Sequence, residues 1–304
     1  MIPKFPNFKK IDLEDREAIE SFTHKYQPYS DFNFTSLWSW DIKNERMISE
    51  LNENLVIRFT DYETCEPFFS FLGTNETENT VRELVHFAEK SGVSAVLRLV
   101  PEESVNNLSG SEFLVEEDRD NFDYVFNVSE LASLRGVKFK GKRHSADKFS
   151  REYPDAHFEI KKINSAEIHE QIISVSRHWK DKKIIDKKNY DFEYEEMAIK
   201  RLLQAVNDEK LILSCVFLHN TMIGFSVDEI SPFQYATSHF IKADISYKGI
   251  YDFLNKNLAQ YFLSRSILYW NWEQDLGIEY IKKSKTSYHP VNFLKKYKIS
   301  VYRR

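Results

Sequence analysis

The chain has 304 residues, a formal net charge of -5, 42% hydrophobic and 15% aromatic residues, and only eight Gly and eight Pro. That fits two compact domains of about 150 residues with little disordered linker, and the bulk charge argues against a dedicated nucleic-acid binder, with no DNA partner expected, although the basic residues are clustered. Cys65 and Cys215 are too few for a disulfide framework or zinc cluster, no run approaches the roughly 20 apolar residues of a membrane span, and Met1-Ile2-Pro3-Lys4-Phe5-Pro6 lacks a signal-peptide core, so a cytoplasmic protein without an integral membrane segment is expected.

In chain order, residues 13–26 are predicted as a helix with Ile19 and Phe22 on its buried stripe. The aromatic segment Phe32, Phe34, Leu37, Trp38 and Trp40 reads as core packing. A hairpin turn over 51–55 feeds a strand over 55–59, and a second strand over 68–72 is closed by Gly73. Val81, Leu84, Val85 and Ala88 fall at helical spacing, with Ser91-Gly92 as the stop. Strands over 95–100 and 124–128 end this half. The join is expected near Leu134-Arg135-Gly136, giving domains 1–135 and 136–304, the second opening on a basic connector.

The second half reads more plainly. It opens with a strand over 157–160, helices over 166–179 and 192–206, and a meander of strands over 211–218, 222–229 and 234–240. A helix over 249–264, a strand ending at Asn271, a lysine-bearing helix and a strand near 299–302 follow. Strand, two helices, three-strand meander, helix, strand, helix, strand is the order of a GNAT domain. The fold class expected is α+β: two tandem GNAT-like acyltransferase domains, each a mixed, mostly antiparallel sheet flanked by helices.

The stretch Asn271-Trp272-Glu273-Gln274-Asp275-Leu276-Gly277 delivers two carboxylates to a strand end. From Ile281 onward the chain has no acidic residue, whereas Lys282, Lys283, Lys285, Lys295, Lys296, Lys298, Arg303 and Arg304 are cationic. Carboxylates at a strand end beside a cationic surface can move a proton next to an anionic carrier. Three stretches carry a resemblance: Gln274-Asp275-Leu276-Gly277 with Lys285 downstream, Ser30-Asp31-Phe32-Asn33-Phe34-Thr35-Ser36-Leu37-Trp38-Ser39-Trp40, and Lys140-Gly141-Lys142-Arg143-His144 through Phe149. Together they resemble an uncharacterised bacterial family related to the C-terminal domain of phosphatidylglycerol lysyltransferases. The resemblance implies a tandem GNAT-type architecture, as in enzymes that take an amino acid from aminoacyl-tRNA. It does not bring a membrane-spanning half with it.

Glu273 is the general-base candidate. Asp275 reads as the N-cap of the next helix, and Lys285 as a donor to an oxyanion or phosphate, or as a plain surface cation. Lys140, Lys142 and Arg143 form either a solvated connector or a phosphate-contacting segment, with Gly141 admitting backbone N–H groups. Lys282 and Lys283 add cations for the same donor. Lys248 and Gly249 open the helix on which a GNAT acyl carrier would rest its pyrophosphate. Only one glycine stands there, and Tyr247 and Tyr251 add bulk, which disfavours coenzyme A. His144, His178, His239 and His289 are isolated and read as structural, with no metal-ligand spacing. The function expected is transfer of an amino acid from aminoacyl-tRNA to an amine or hydroxyl of a small-molecule, lipid or peptide acceptor, with tRNA as partner and no tightly bound cofactor. The alternatives are an N-acetyltransferase using acetyl-coenzyme A and a non-catalytic binding module.

Overall fold

The computed structural model describes every residue except 62–63, 107, 111, 183–191, 205–209 and 303–304. The chain divides into two compact units, one of Met1–Asp123, Gln274–Gly277 and Phe293–Arg304, the other of Tyr124–Glu273 and Ile278–Asn292. The division therefore differs from the expected 1–135 and 136–304: it first falls after Asp123, and two C-terminal segments belong to the first unit.

The first unit begins with β1 (Lys9–Lys10), α1 (Arg16–Thr23) and α2 (Phe34–Ser39). An antiparallel meander of β2 (Met47–Leu51), β3 (Asn54–Thr60) and β4 (Pro67–Leu72) follows. The β2–β3 turn places Asn52 and Glu53 at φ 50 and 61, the left-handed pair that a two-residue hairpin needs. Next come α3 (Thr77–Lys90), β5 (Leu97–Pro101), α4 (Glu102–Val105) and β6 (Phe113–Glu117). Val81, Leu84, Val85 and Ala88 are buried on α3 as their spacing predicts, and Phe32, Phe34 and Leu37 are core residues. Between β5 and β6 lies not a neighbour in sequence but the C-terminal strand Lys296–Val301. Its Ile299 packs in one core with Phe69, Leu84, Val100 and Phe113, and that apolar contact is why the chain end belongs here.

The second unit holds β7 (Asp123–Asn127), α5 (Val128–Ser133), α6 (Lys140–Glu152), β8 (Ala156–Lys161), α7 (Ala166–Lys182) and α8 (Phe192–Gln204). The meander β9 (Leu211–Leu218), β10 (Thr221–Ser231) and β11 (Tyr235–Ala243) is followed by α9 (Ile250–Ser264), β12 (Tyr269–Asn271), α10 (Glu279–Thr286) and β13 (Asn292–Leu294). The strand Lys296–Val301 is then β14. Sheet order is β13-β7-β12-β11-β10-β9-β8, with β11 and β12 parallel. The basic run expected as a connector is the start of α6, and the strand expected to close this half, β14, is in the first unit. The expected end of the second helix at 206, and the tail cations Arg303 and Arg304, lie outside the described residues.

From β8 to β13 the element order repeats that from β1 to β6. In each case the strand that completes the sheet comes from elsewhere in the chain: β14 sits between β5 and β6, and β7 between β12 and β13.

Candidate active site at the end of a parallel strand pair

The pairing of β11 with β12 ends at Thr237 and Asn271. His239 and Glu273 each lie two residues beyond that last pair, where the two strands are no longer bridged. The β10–β11 register shifts as well: Val227 pairs with Phe240 and Asp228 with Ser238, so His239 is the extra residue between them. This is a β-bulge, which bends the strand and re-aims the extra residue. His239 Nε2 lies 3.3 Å from Glu229 Oε2 on β10, and its Nδ1 lies 3.6 Å from Glu273 Oε1. The imidazole is fully buried, the Glu229 side chain is 5% exposed and that of Glu273 18%, so Glu273 is the most exposed member of the trio. Burial pulls the imidazole pKa down, but hydrogen bonds to Glu229 and Glu273, and their charges, outweigh it and hold His239 at about 9. At neutral pH the imidazole of His239 is therefore charged, with a glutamate side chain on either side.

Glu273 sits at φ 56, a left-handed backbone that costs a non-glycine residue about 1 kcal/mol. Three contacts hold it there. Its N–H donates to Asn271 Oδ1 at 2.7 Å, and its carbonyl accepts from the Tyr124 N–H at 3.1 Å and from Lys285 Nζ at 3.1 Å. Lys285 also donates to the Trp272 carbonyl. The ammonium is thus engaged with the backbone of the strand end and positions Glu273.

Asp275, in the first unit, does not cap α10, whose N-cap position is Ile278 with no side-chain bond. Its buried carboxylate instead accepts the Gly277 N–H at 2.9 Å and pairs with Arg119 at 3.5 Å. Leu276 and Gly277 both have positive φ, so the chain turns before the helix begins and the cap falls one turn too early.

The remaining candidates scatter. Lys142 Nζ lies 3.7 Å over the Tyr288 ring and 3.6 Å from Asp252; burial pushes its pKa down, with Asp252 opposing. Arg143 donates to the Leu134 and Gly136 carbonyls. Lys140, Lys248, Lys282 and Lys283 are exposed, Lys283 beside Glu279 at 3.5 Å. The His289 ring donates to the Lys138 carbonyl at 3.1 Å, tying the segment after α10 to the start of α6. A Cβ on Gly249, at φ 93, would lie 2.4 Å from the Ser145 carbonyl, so α6 packs directly on the first turn of α9. Tyr247 meets Tyr153 at 5.2 Å, and Tyr251 accepts the Ala243 N–H. The tail lysines are not a free cationic surface either. Lys296 is fully buried and donates to Asp31 and Asp123, Lys298 lies 3.2 Å from Asp118, and Lys295 lies 3.1 Å from Glu117. Ser30 contacts Asp123 and Gln274 in the same cluster.

Sequence reading took His239 for an isolated structural histidine, gave the Asn271 side chain no role and did not single out Glu229. The available signal was Asp228-Glu229, an acidic pair inside an otherwise apolar strand pattern. Among the described residues no group of three or more His, Cys, Asp or Glu side chains is placed to hold a metal ion.

The sequence pattern of the family "Phosphatidylglycerol lysyltransferase, C-terminal" matches residues 23–300. The chain belongs to that family. A conserved protein of unknown function from Bacteroides thetaiotaomicron is 26% identical, with 99% of this chain and 100% of that one covered and a TM-score of 0.84. The C-terminal domain of a putative lysylphosphatidylglycerol synthetase from Agrobacterium fabrum (12% identity, 96% and 92% covered, TM-score 0.67) has the same fold. So does L-PGS from Bacillus licheniformis, at 14% identity, 100% and 95% covered and a TM-score of 0.65. No curated protein sequence matches the chain. Among the described residues, α and β elements build mixed and antiparallel sheets, and no helix is long and apolar enough to cross a membrane.

Proposed function

We propose that the chain is an acyltransferase of tandem GNAT-like architecture that moves an amino acid from aminoacyl-tRNA to an amine or hydroxyl acceptor. The observation that carries this reading is the Glu229–His239–Glu273 trio at the open end of a parallel strand pair, in a member of the phosphatidylglycerol lysyltransferase C-terminal family. The repeated element order supports the tandem description.

In the proposed reaction the acceptor's lone pair attacks the ester carbonyl carbon while Glu273, the most exposed of the three side chains, takes the acceptor's proton. His239, held protonated by its two neighbours, orients that carboxylate and balances its charge. The tetrahedral intermediate collapses with cleavage of the ester C–O bond, and the proton on Glu273 passes to the leaving ribose oxygen. The donor is proposed as tRNA because α6 and the tyrosines fill the first turn of α9, where a coenzyme A pyrophosphate would rest. Lys140, Lys282 and Lys283 supply exposed cations for its phosphates. The same filling favours a second reading, a binding module that has kept the fold without the chemistry; the partial exposure of Glu273 beside His239 weighs against it.

The test is incubation of the protein with a pool of tRNAs charged with labelled amino acids, reading loss of the ester and appearance of label in small molecules, lipids or peptides. Protein-dependent transfer is expected. Tight binding of coenzyme A with acetyl transfer, or intact charged tRNA throughout, would contradict the proposal.

A further inference from the structure

On the other face of the same three strands lies a second buried carboxylate that the reaction does not use. Asp228 is fully buried. It accepts hydrogen bonds from Ser226 at 2.6 Å, from Ser238, and from Trp270 Nε1 at 3.3 Å; the same indole N–H lies 2.9 Å from the Ser238 hydroxyl. Successive residues of a strand point to opposite faces, so Asp228 faces away from Glu229. Asp228 and two of these partners nevertheless lie close in sequence to members of the trio. Asp228 precedes Glu229 on β10, Ser238 precedes His239 on β11, and Trp270 on β12 lies three residues before Glu273. Asp228 is also the residue at which the β10–β11 register shifts. A bulge disrupts the ladder locally, and the bonds of Asp228 tie β10, β11 and β12 together beside it.

We propose that Asp228 is a positioning residue: by gripping Ser238 and Trp270 across the bulge it sets the spacing of Glu229, His239 and Glu273. Burial raises the Asp228 carboxyl to about 6 against the opposing hydrogen bonds of Ser226 and Ser238, so its charged form is disfavoured in the folded protein. A group that is costly to keep charged there is better accounted for by geometry than by stability. The inference rests on the reading of the trio as the reacting groups, but the spacing it concerns can be measured without any substrate.

The experiment is an NMR titration of His239 in the full chain with labelled histidine. Ser238→Ala and Trp270→Phe each remove one arm of the grip and leave the Asp228 side chain itself in place. Ser226→Ala removes a bond to Asp228 that reaches neither β11 nor β12. All three are expected to lower the melting temperature. Only Ser238→Ala and Trp270→Phe should weaken the proton affinity of His239, by at least about tenfold, because their loosening lengthens its hydrogen bonds to Glu229 and Glu273. Should one of these two fail to fold, the other gives the reading, and Ser238→Cys replaces both if needed. Folded variants with a wild-type His239 titration would overturn the proposal, as would Ser226→Ala moving it as far as the other two. If His239 shifts as expected while the wild-type protein transfers no amino acid, the positioning stands and the reaction is what fails.

Discussion

His239 is charged in the fold because two carboxylates flank it, which makes stability depend on pH in a direction opposite to that of a histidine buried alone. Its folded pKa of about 9 lies above the ordinary 6.5, so the folded state binds the proton more tightly than the unfolded chain. The stabilisation is complete below pH 6.5 and is lost as pH rises through about 9. Thermal melts of wild type and His239→Gln across that range should therefore converge toward the alkaline end; parallel curves would contradict the ion-pair description. Lys296 makes the same point for a lysine. It reads in the sequence as one more tail cation, yet it is fully buried against Asp31 and Asp123. Lys296→Met leaves those carboxylates without their counter-charge and should cost about 3–5 kcal/mol in urea denaturation. Lys295→Met, whose ammonium is exposed beside Glu117, should cost less than about 1 kcal/mol. Equal effects would show that burial does not distinguish the two. Residue type alone could not have separated them, because a charge in a sequence carries no record of the acid that a distant segment supplies.

Most elements were legible because their patterns are local. The apolar runs of β9, β10 and β11, the stripe of α3 and the hairpin at Asn52-Glu53 all lie where spacing and turn chemistry put them. What escaped were features made by two elements at once. The bulge at His239 exists only in the pairing of β10 with β11, and the partners of His239 come ten residues before it and thirty-four after it in the sequence. The start of α6 was read as a connector because Gly141 and a dense charge run look like a loop; Phe139, Ala146 and Phe149, all buried, are what hold it as a helix. That placement changes which cations can contact a donor. Lys142 and Arg143 are engaged within the fold, whereas Lys140 on α6 and Lys282 on α10 are exposed. The double variant Lys140→Glu with Lys282→Glu should therefore weaken tRNA binding by about tenfold and flatten its salt dependence, since each lost phosphate contact releases fewer counterions. Filter binding at two ionic strengths reads both effects; unchanged affinity and slope would place the tRNA contact elsewhere.

At the scale of the whole molecule, each repeat, β1 to β6 and β8 to β13, is completed by a strand from outside its own stretch of sequence. β14 is the middle strand of the sheet formed with β5 and β6, and β7 lies between β12 and β13. Chain order alone suggests a cut near residue 135, because sequence patterns show what a segment forms but not which sheet it joins. Fragments 1–135 and 136–304, expressed separately, should each fail to show a cooperative unfolding transition, the first lacking β14 and the second β7. Two independently folding fragments would mean that these strands are dispensable. The most direct measurement of the function is single-turnover transfer of a labelled amino acid from charged tRNA by wild type and Glu273→Gln. Glutamine keeps the shape of the side chain and removes its basicity, so the rate should fall by roughly 10²–10⁴-fold with donor binding nearly unchanged. A variant that transfers at the wild-type rate would contradict the assignment of Glu273 as the base.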